Sequence, residues 1–151
     1  MLKYNLSELK KISKKIASKL SKTDCLYLYG ELGSGKTTFA RNLINHLQDE
    51  KGVNKTEVLS PTFNLLYEYE IKSIKVMHYD LYRLEKTEEI DQLGVFENHK
   101  NKIILIEWPE KLKKNIENRL EITFDYCKDE LSRELSLQGY GKWENFKINA
   151  V

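Results

Sequence analysis

The feature that most constrains what this chain can fold into is the glycine loop Gly30-Glu31-Leu32-Gly33-Ser34-Gly35-Lys36-Thr37. It fits G-x-x-x-x-G-K-[ST] at every fixed position. Cys25-Leu26-Tyr27-Leu28-Tyr29 before it is a short apolar run of strand character, and residues 39, 40, 43, 44 and 47 after it are apolar at helical spacing. A strand, a glycine turn and a helix start make an anion site for a physical reason. The unpaired amides of the first helical turn and the positive end of the helix dipole both face the ligand. Gly30, Gly33 and Gly35 let the backbone take positive φ and approach phosphate without a Cβ in the way. Lys36 is expected to reach the β- and γ-phosphates of a nucleoside triphosphate, and the Thr37 hydroxyl to ligate Mg²⁺.

At 151 residues the chain is most simply one domain spanning 1–151. A chain of that size buries about 68–70% of its unfolded surface. No apolar run approaches a membrane span, and Met1-Leu2-Lys3-Tyr4-Asn5 has no signal-peptide core. Cys25 and Cys127 both fall in expected strands and read as small buried residues of a reducing compartment, so a cytoplasmic location is expected. The net charge of +2 gives no global basic field that would demand nucleic acid. The lysines at 10, 11, 14, 15, 19 and 22, and at 111, 113 and 114, lie opposite apolar stripes and read first as solvated faces.

Along the chain, residues 7–20 read as an amphipathic helix with Leu9, Ile12, Ile16, Ala17 and Leu20 on one face. Asn5 with Glu8 resembles a capping box. Residues 49–57 read as polar loop. Residues 65–71 and 74–80 are strand-like and joined by Lys72-Ser73, which predicts an antiparallel hairpin. Residues 85–93 predict a short acidic helix closed by Gly94. The unbroken run Lys102-Ile103-Ile104-Leu105-Ile106-Glu107 suits a central strand covered on both faces. Pro109 is placed to begin a short helix through Leu112 and Ile116. Alternation at Leu120, Ile122, Phe124 and Tyr126, and again at Leu131, Leu135 and Leu137, predicts an antiparallel pair turning at Lys128-Asp129-Glu130. The sum is one α/β domain with a mixed central sheet.

A phosphate loop needs an acidic partner at the end of a neighbouring strand, to hold Mg²⁺ directly or through water. Glu107, after four apolar residues, and Asp80, in His78-Tyr79-Asp80-Leu81-Tyr82-Arg83, are the candidates. Each could instead be a cap or ion-paired carboxylate. Thr62, in Ser60-Pro61-Thr62-Phe63, could sense the γ-phosphate through its hydroxyl. His78 reads first as a hydrogen-bonded core histidine. Trp108 is either packing or a cover for the nucleotide, and Arg83 either a charge-stabilising group or a surface ion pair.

Four segments together resemble the TsaE (YjeE/YdiB) family of small bacterial ATPases. They are Tyr29-Gly30-Glu31-Leu32-Gly33-Ser34-Gly35-Lys36-Thr37-Thr38-Phe39, Ser60-Pro61-Thr62-Phe63, His78-Tyr79-Asp80-Leu81-Tyr82-Arg83-Leu84 and Ile106-Glu107-Trp108-Pro109-Glu110. Their order and spacing agree with the family over residues 5–140, and the pattern departs from it after Glu110. The resemblance implies a P-loop NTPase-like α/β fold, with flanking helices and antiparallel strand additions. It implies a Mg²⁺-dependent ATPase, slow alone, that supports tRNA threonylcarbamoyladenosine synthesis with the TsaB–TsaD heterodimer and is not itself the transferase. Contact with tRNA would be indirect, through that complex, and no membrane is involved. By the same resemblance Gly33, Ser34, Gly35, Lys36, Thr37, Thr38, Thr62 and Trp108 contact ATP. Thr37, Glu107 and Asp80 hold Mg²⁺, and Lys36, Asp80 and Glu107 carry the chemistry.

Three other readings share the loop. A small-molecule kinase generally needs a lid with several arginines, whereas Arg41, Arg83, Arg119 and Arg133 are scattered. A GTPase would read guanine through N-K-x-D, but Asn54-Lys55-Thr56-Glu57 ends in Glu and precedes the acidic strand. A module that uses ATP only to assemble differs in class rather than in site.

Overall fold

The two unbroken apolar runs form the middle of a sheet. The computed structural model describes residues 1–129 and 132–149. Its strands are β1 (Leu2–Tyr4), β2 (Cys25–Tyr29), β3 (Leu66–Ile71), β4 (Ile74–Asp80), β5 (Lys102–Glu107), β6 (Arg119–Tyr126) and β7 (Arg133–Tyr140). The helices are α1 (Leu6–Ala17), α2 (Lys36–Glu50) and α3 (Thr87–Gln92), with single 3-10 turns at Pro109–Lys111 and Gly141–Trp143.

The strands form one seven-stranded sheet in the order β1-β7-β6-β2-β5-β4-β3. The inner strands β6, β2, β5 and β4 run parallel. The β3–β4 hairpin at one edge and β6–β7–β1 at the other add antiparallel pairs. This is the mixed α/β sheet with antiparallel additions that the sequence predicts.

Period-two alternation divides the core into two layers. Leu26 and Leu28 of β2, Ile103 and Leu105 of β5, and Leu120, Ile122 and Phe124 of β6 pack under α1 and α2. Cys25 and Tyr27, Met77 and Tyr79, and Ile104 and Ile106 face the opposite layer with Leu81, Leu84, Ile90 and Val95. Both cysteines are buried free thiols. Among the described residues no helix is long and apolar enough to cross a membrane.

Several boundaries differ from expectation, each for a local reason. The strand β1 is too short to show alternation, yet it pairs with β7 and closes that edge. The helix expected after Pro109 is a single turn, and Leu112 returns to extended backbone. There Ile116 gives its amide to the Tyr27 hydroxyl at 2.9 Å instead of to a helical carbonyl. Tyr126 follows the alternation but reaches beyond the helices, 39% exposed, rather than into the core. In the β3–β4 hairpin Lys72 takes φ 58°, the left-handed conformation that tight hairpins require. Glu130 and Leu131, assigned to the last turn and strand, lie outside the described residues.

The capping box at α1 forms as expected. The Glu8 amide donates to Asn5 Oδ1 at 2.9 Å, and the Asn5 amide donates to Glu8 Oε2 at 2.7 Å. Replacing Asn5 by Ala removes the cap and is expected to lower stability by about 1 kcal/mol. Urea unfolding of Asn5→Ala against the parent protein measures the difference.

Candidate functional site

Three parallel strands end level with one another. Leu28 of β2 lies opposite Glu107 of β5, and Glu107 lies opposite Asp80 of β4. Alternation puts His78 and Asp80 on the side of Val76, and Glu107 on the side of Leu105, which is the face covered by α2. The first turn of α2 stands over this end of the sheet and carries Lys36 and Thr37.

The loop between β2 and α2 wraps this edge. Gly30 takes φ 142°, and a Cβ there would lie 2.6 Å from both the Phe124 carbonyl oxygen and Ser34 Oγ. Gly35 takes φ 114° at the N-cap of α2 and leaves the first-turn amides without a side-chain cap. The Ser34 hydroxyl is buried with no hydrogen-bond partner among the described residues. Lys36 folds back over the loop, its Nζ donating to the carbonyls of Gly30 at 2.5 Å and Glu31 at 2.8 Å. Its ammonium also lies 4.7 Å from the Trp108 ring centroid. Burial lowers the Lys36 pKa, and the carboxylates of Glu107 and Asp80 oppose that shift.

Glu107 is buried and doubly held. Thr37 Oγ1 donates to it at 2.9 Å, and His78 Nε2 lies 2.7 Å from its other oxygen. Asp80 is buried beside it. Thr62 Oγ1 donates to Asp80 Oδ2 at 2.9 Å, and the Tyr82 amide donates to Oδ1 at 2.9 Å. Burial pushes the Asp80 carboxyl above its ordinary value against the Tyr82 amide, and the Glu107 charge adds to the rise. Thr62 is in turn 2.8 Å from Ser60 Oγ.

These groups open on a cleft of about 250 Å³. Gly33, Ser34, Gly35, Lys36, Thr37, Thr38, Thr62, Asp80, Glu107 and Trp108, the residues singled out in the sequence, all line it. Ser60 and Leu32 complete the wall. Arg83 does not line it; its guanidinium lies 5.1 Å from the exposed Phe63 ring. On the other side of the loop a cavity of about 630 Å³ shares Gly33, Ser34, Gly35 and Thr38 and is bounded by Tyr4, Asn5 and Arg133. The loop is thus a partition between a small polar cleft and a larger cavity.

The chemistry available in the cleft is that of an anion site next to hard oxygen donors. Among the described residues no cluster of three His, Cys, Asp or Glu side chains forms a metal cage. Thr37, Glu107 and Asp80 instead offer a hydroxyl and two carboxylates. That short donor set fits Mg²⁺, which keeps several waters and takes the rest of its shell from substrate phosphates.

Comparison with known proteins gives the family. The family model described as threonylcarbamoyl adenosine biosynthesis protein TsaE matches residues 4–135. The chain belongs to the TsaE family. It is 45% identical over 109 residues to the tRNA threonylcarbamoyladenosine biosynthesis protein TsaE of Rickettsia felis. That match covers 72% of this chain and 61% of the relative, so the chain spans about six-tenths of the Rickettsia protein's length. The TsaE of Bacillus subtilis is 33% identical over 139 residues, 91% of this chain and 83% of the relative. The crystal structure of Bacillus subtilis YdiB superposes with a TM-score of 0.69 at 27% identity, covering 95% of this chain and 88% of that one. The family name ties these proteins to biosynthesis of a modified tRNA adenosine.

Within this TsaE-family chain some site contacts were not visible in the sequence. The buried His78–Glu107 pair is one, since an isolated His in a strand says nothing of its partner. It is legible only once β4 and β5 are paired in register. Another is a pair of tyrosines outside every motif: Tyr4 donates its hydroxyl to the Ser34 carbonyl and Tyr126 to the Leu32 carbonyl, each at 3.0 Å.

The raised pKa of Asp80 has a measurable consequence. Its proton-linked contribution to stability is fully present below the unfolded value and is lost as pH rises through the raised folded value. Asp80→Asn is therefore expected to melt above the parent protein at pH 7, with the gain vanishing below the ordinary carboxylate range near pH 3.9. Thermal melts of the ligand-free proteins across that range test this, and equal melting at all pH values would contradict it.

Proposed function

We propose that the protein binds and hydrolyses ATP with Mg²⁺. Its role would be as the ATPase component of tRNA threonylcarbamoyladenosine biosynthesis, acting in the cytoplasm with the TsaB–TsaD heterodimer rather than as the transferase. The observation that carries this reading is the convergence of Lys36, Thr37, Asp80 and Glu107 on one cleft at the N-terminus of α2. Membership of the TsaE family supports the place in tRNA modification.

Each side chain has a part defined by its position. The amides from Gly33 to Thr38 surround the phosphates at the positive end of α2. Lys36, at the mouth of the loop, neutralises the β- and γ-phosphate oxygens. Thr37 and Glu107 would hold Mg²⁺, and His78 fixes the orientation of Glu107 through its 2.7 Å contact. When bound, Mg²⁺ would supply neutralisation of the phosphate charge. Asp80, next to Glu107, orients the water that attacks the γ-phosphorus in line, and would be the second carboxylate available to Mg²⁺. A bond forms from that water to phosphorus and the bond to the β-phosphate oxygen breaks, its electron pair leaving on ADP, while both protons of the water depart with the inorganic phosphate. Thr62 ties Asp80 to the segment that follows Pro61, so that segment can respond to the γ-phosphate. Trp108 lines the same wall and packs against Tyr82 with ring centroids 4.7 Å apart. The nucleoside end has room in the 630 Å³ cavity across the loop.

The cleft lining contains acids and one lysine, and among the described residues no arginine. Charge developing on the transferring phosphoryl is then met by Lys36, loop amides and metal alone, and turnover by the isolated protein should be slow. Phosphate release from ATP is expected to rise on adding TsaB–TsaD and to be lost in Lys36→Ala. The same substitution is expected to weaken ATP binding by about 1.5–3 kcal/mol, the worth of a charged hydrogen bond. Equal rates with and without the heterodimer would contradict partner activation, and unchanged affinity would remove Lys36 from the site.

A further inference from the structure

The phosphate loop is held from outside by a row of side chains that belongs to no nucleotide-binding motif. Tyr4 of β1 lies opposite Arg133 of β7, and Arg133 lies opposite Tyr126 of β6. The three therefore stand side by side on one face of the antiparallel edge. The Arg133 guanidinium lies 3.9 Å from the Tyr126 ring centroid. The buried Tyr4 ring meets Phe124 edge-on at 6.4 Å. Both tyrosines end on the loop. Tyr4 donates to the Ser34 carbonyl and Tyr126 to the Leu32 carbonyl. Their hydroxyls also lie against the next residues, since a Cβ at Gly35 would sit 3.2 Å from Tyr4 Oη and one at Gly33 would sit 3.1 Å from Tyr126 Oη.

A trans peptide is planar, with its carbonyl and the following N–H pointing in opposite directions. A hydroxyl that fixes the Ser34 carbonyl outward fixes the Gly35 N–H inward, and the Leu32 carbonyl does the same for the Gly33 N–H. Among the described residues neither glycine amide donates to a backbone carbonyl. Glycine has no side chain to set these peptide planes itself, and both glycines sit at positive φ, where rotation is easy. Burial raises the Tyr4 phenol to about 12, so it remains a protonated donor at neutral pH.

We propose that Tyr4 and Tyr126 are positioning residues that aim the Gly33 and Gly35 amides at bound phosphate, with Arg133 spacing the pair. The antiparallel edge β1-β7-β6 thereby acts as a brace for the anion site. The inference deepens the ATP-binding reading and rests on it for the identity of the anion.

The test uses Tyr4→Phe and Tyr126→Phe, which keep the rings and remove only the hydroxyls. In the ligand-free proteins, ¹H–¹⁵N spectra are expected to show the Gly35 amide moved by Tyr4→Phe and the Gly33 amide by Tyr126→Phe. Affinity for ATP is expected to fall about three- to ten-fold per hydroxyl, the span of one net hydrogen bond. Pyrophosphate affinity should fall by the same factor. The equal fall separates a brace from a nucleoside contact, since Tyr4 also bounds the larger cavity. Glycine resonances and affinities unchanged from the parent would overturn the proposal, as would loss of ATP affinity with pyrophosphate binding intact. A parent protein that binds neither ATP nor pyrophosphate would sink the ATP-binding reading and, with it, any role of the brace in aiming amides at phosphate.

Discussion

The site depends on one backbone relationship, the level ends of β2, β5 and β4. Parallel register sets Leu28, Glu107 and Asp80 side by side. Side chains alternate strictly, so a slip of one residue in β5 would turn Glu107 to the far layer and leave Thr37 and His78 without their partner. The side chains of β2 and β5 pack against the helices on one face and the second core layer on the other, and that close packing resists a slip. Core packing thus precedes and fixes the chemistry. Two buried carboxylates side by side are costly on their own, and the donors Thr37, His78, Thr62 and the Tyr82 amide offset part of the cost. What they leave is visible in the raised pKa of Asp80. A divalent cation bound here would relieve the same repulsion.

The two edges of the sheet serve the cleft differently. On the β3 side, the segment after Pro61 is tied to Asp80 twice, by the Thr62 hydroxyl and by the Asp80 amide donating to the Leu65 carbonyl at 3.0 Å. Leu65 holds φ 66° and Trp108 holds φ 61°, both costly for residues with a side chain. Such strain beside the cleft is where a change of conformation with ligand is easiest to store. On the β1 side, the contacts are to loop carbonyls and hold the glycine peptides from behind. On the proposed ATP-binding reading, one edge would report on the γ-phosphate, and the other would keep the loop in shape.

Much of this was legible in the sequence, because the signals were of the strong kinds. The glycine loop fixes its own flanking strand and helix, and the run Ile103–Ile106 announces a strand buried on both faces. Asn5 with Glu8 marks the start of α1 correctly, as Gly94 marks the end of α3. The strand β1 escaped because three residues carry no period, and it forms only when β7 offers a partner. The helix expected past Pro109 failed because Leu112 and Ile116 belong to the second core layer, and tertiary packing overrides a local helix start. In the cleft, the residues that motif spacing singles out are brought together on one wall. The hydrogen-bond partners were not legible, since the bonds from His78 to Glu107, Tyr4 to Ser34 and Tyr126 to Leu32 each join distant parts of the chain.

The central claim is that this end of the sheet is an ATP site with Mg²⁺ held at Thr37 and Glu107. Calorimetric titration of ATP with and without Mg²⁺, for the parent protein and for Glu107→Gln, tests it most directly. The account predicts ATP binding that Mg²⁺ strengthens in the parent protein, and in Glu107→Gln binding that persists through the loop while the Mg²⁺ enhancement is lost. ATP binding indifferent to Mg²⁺, or an enhancement that survives Glu107→Gln unchanged, would contradict it.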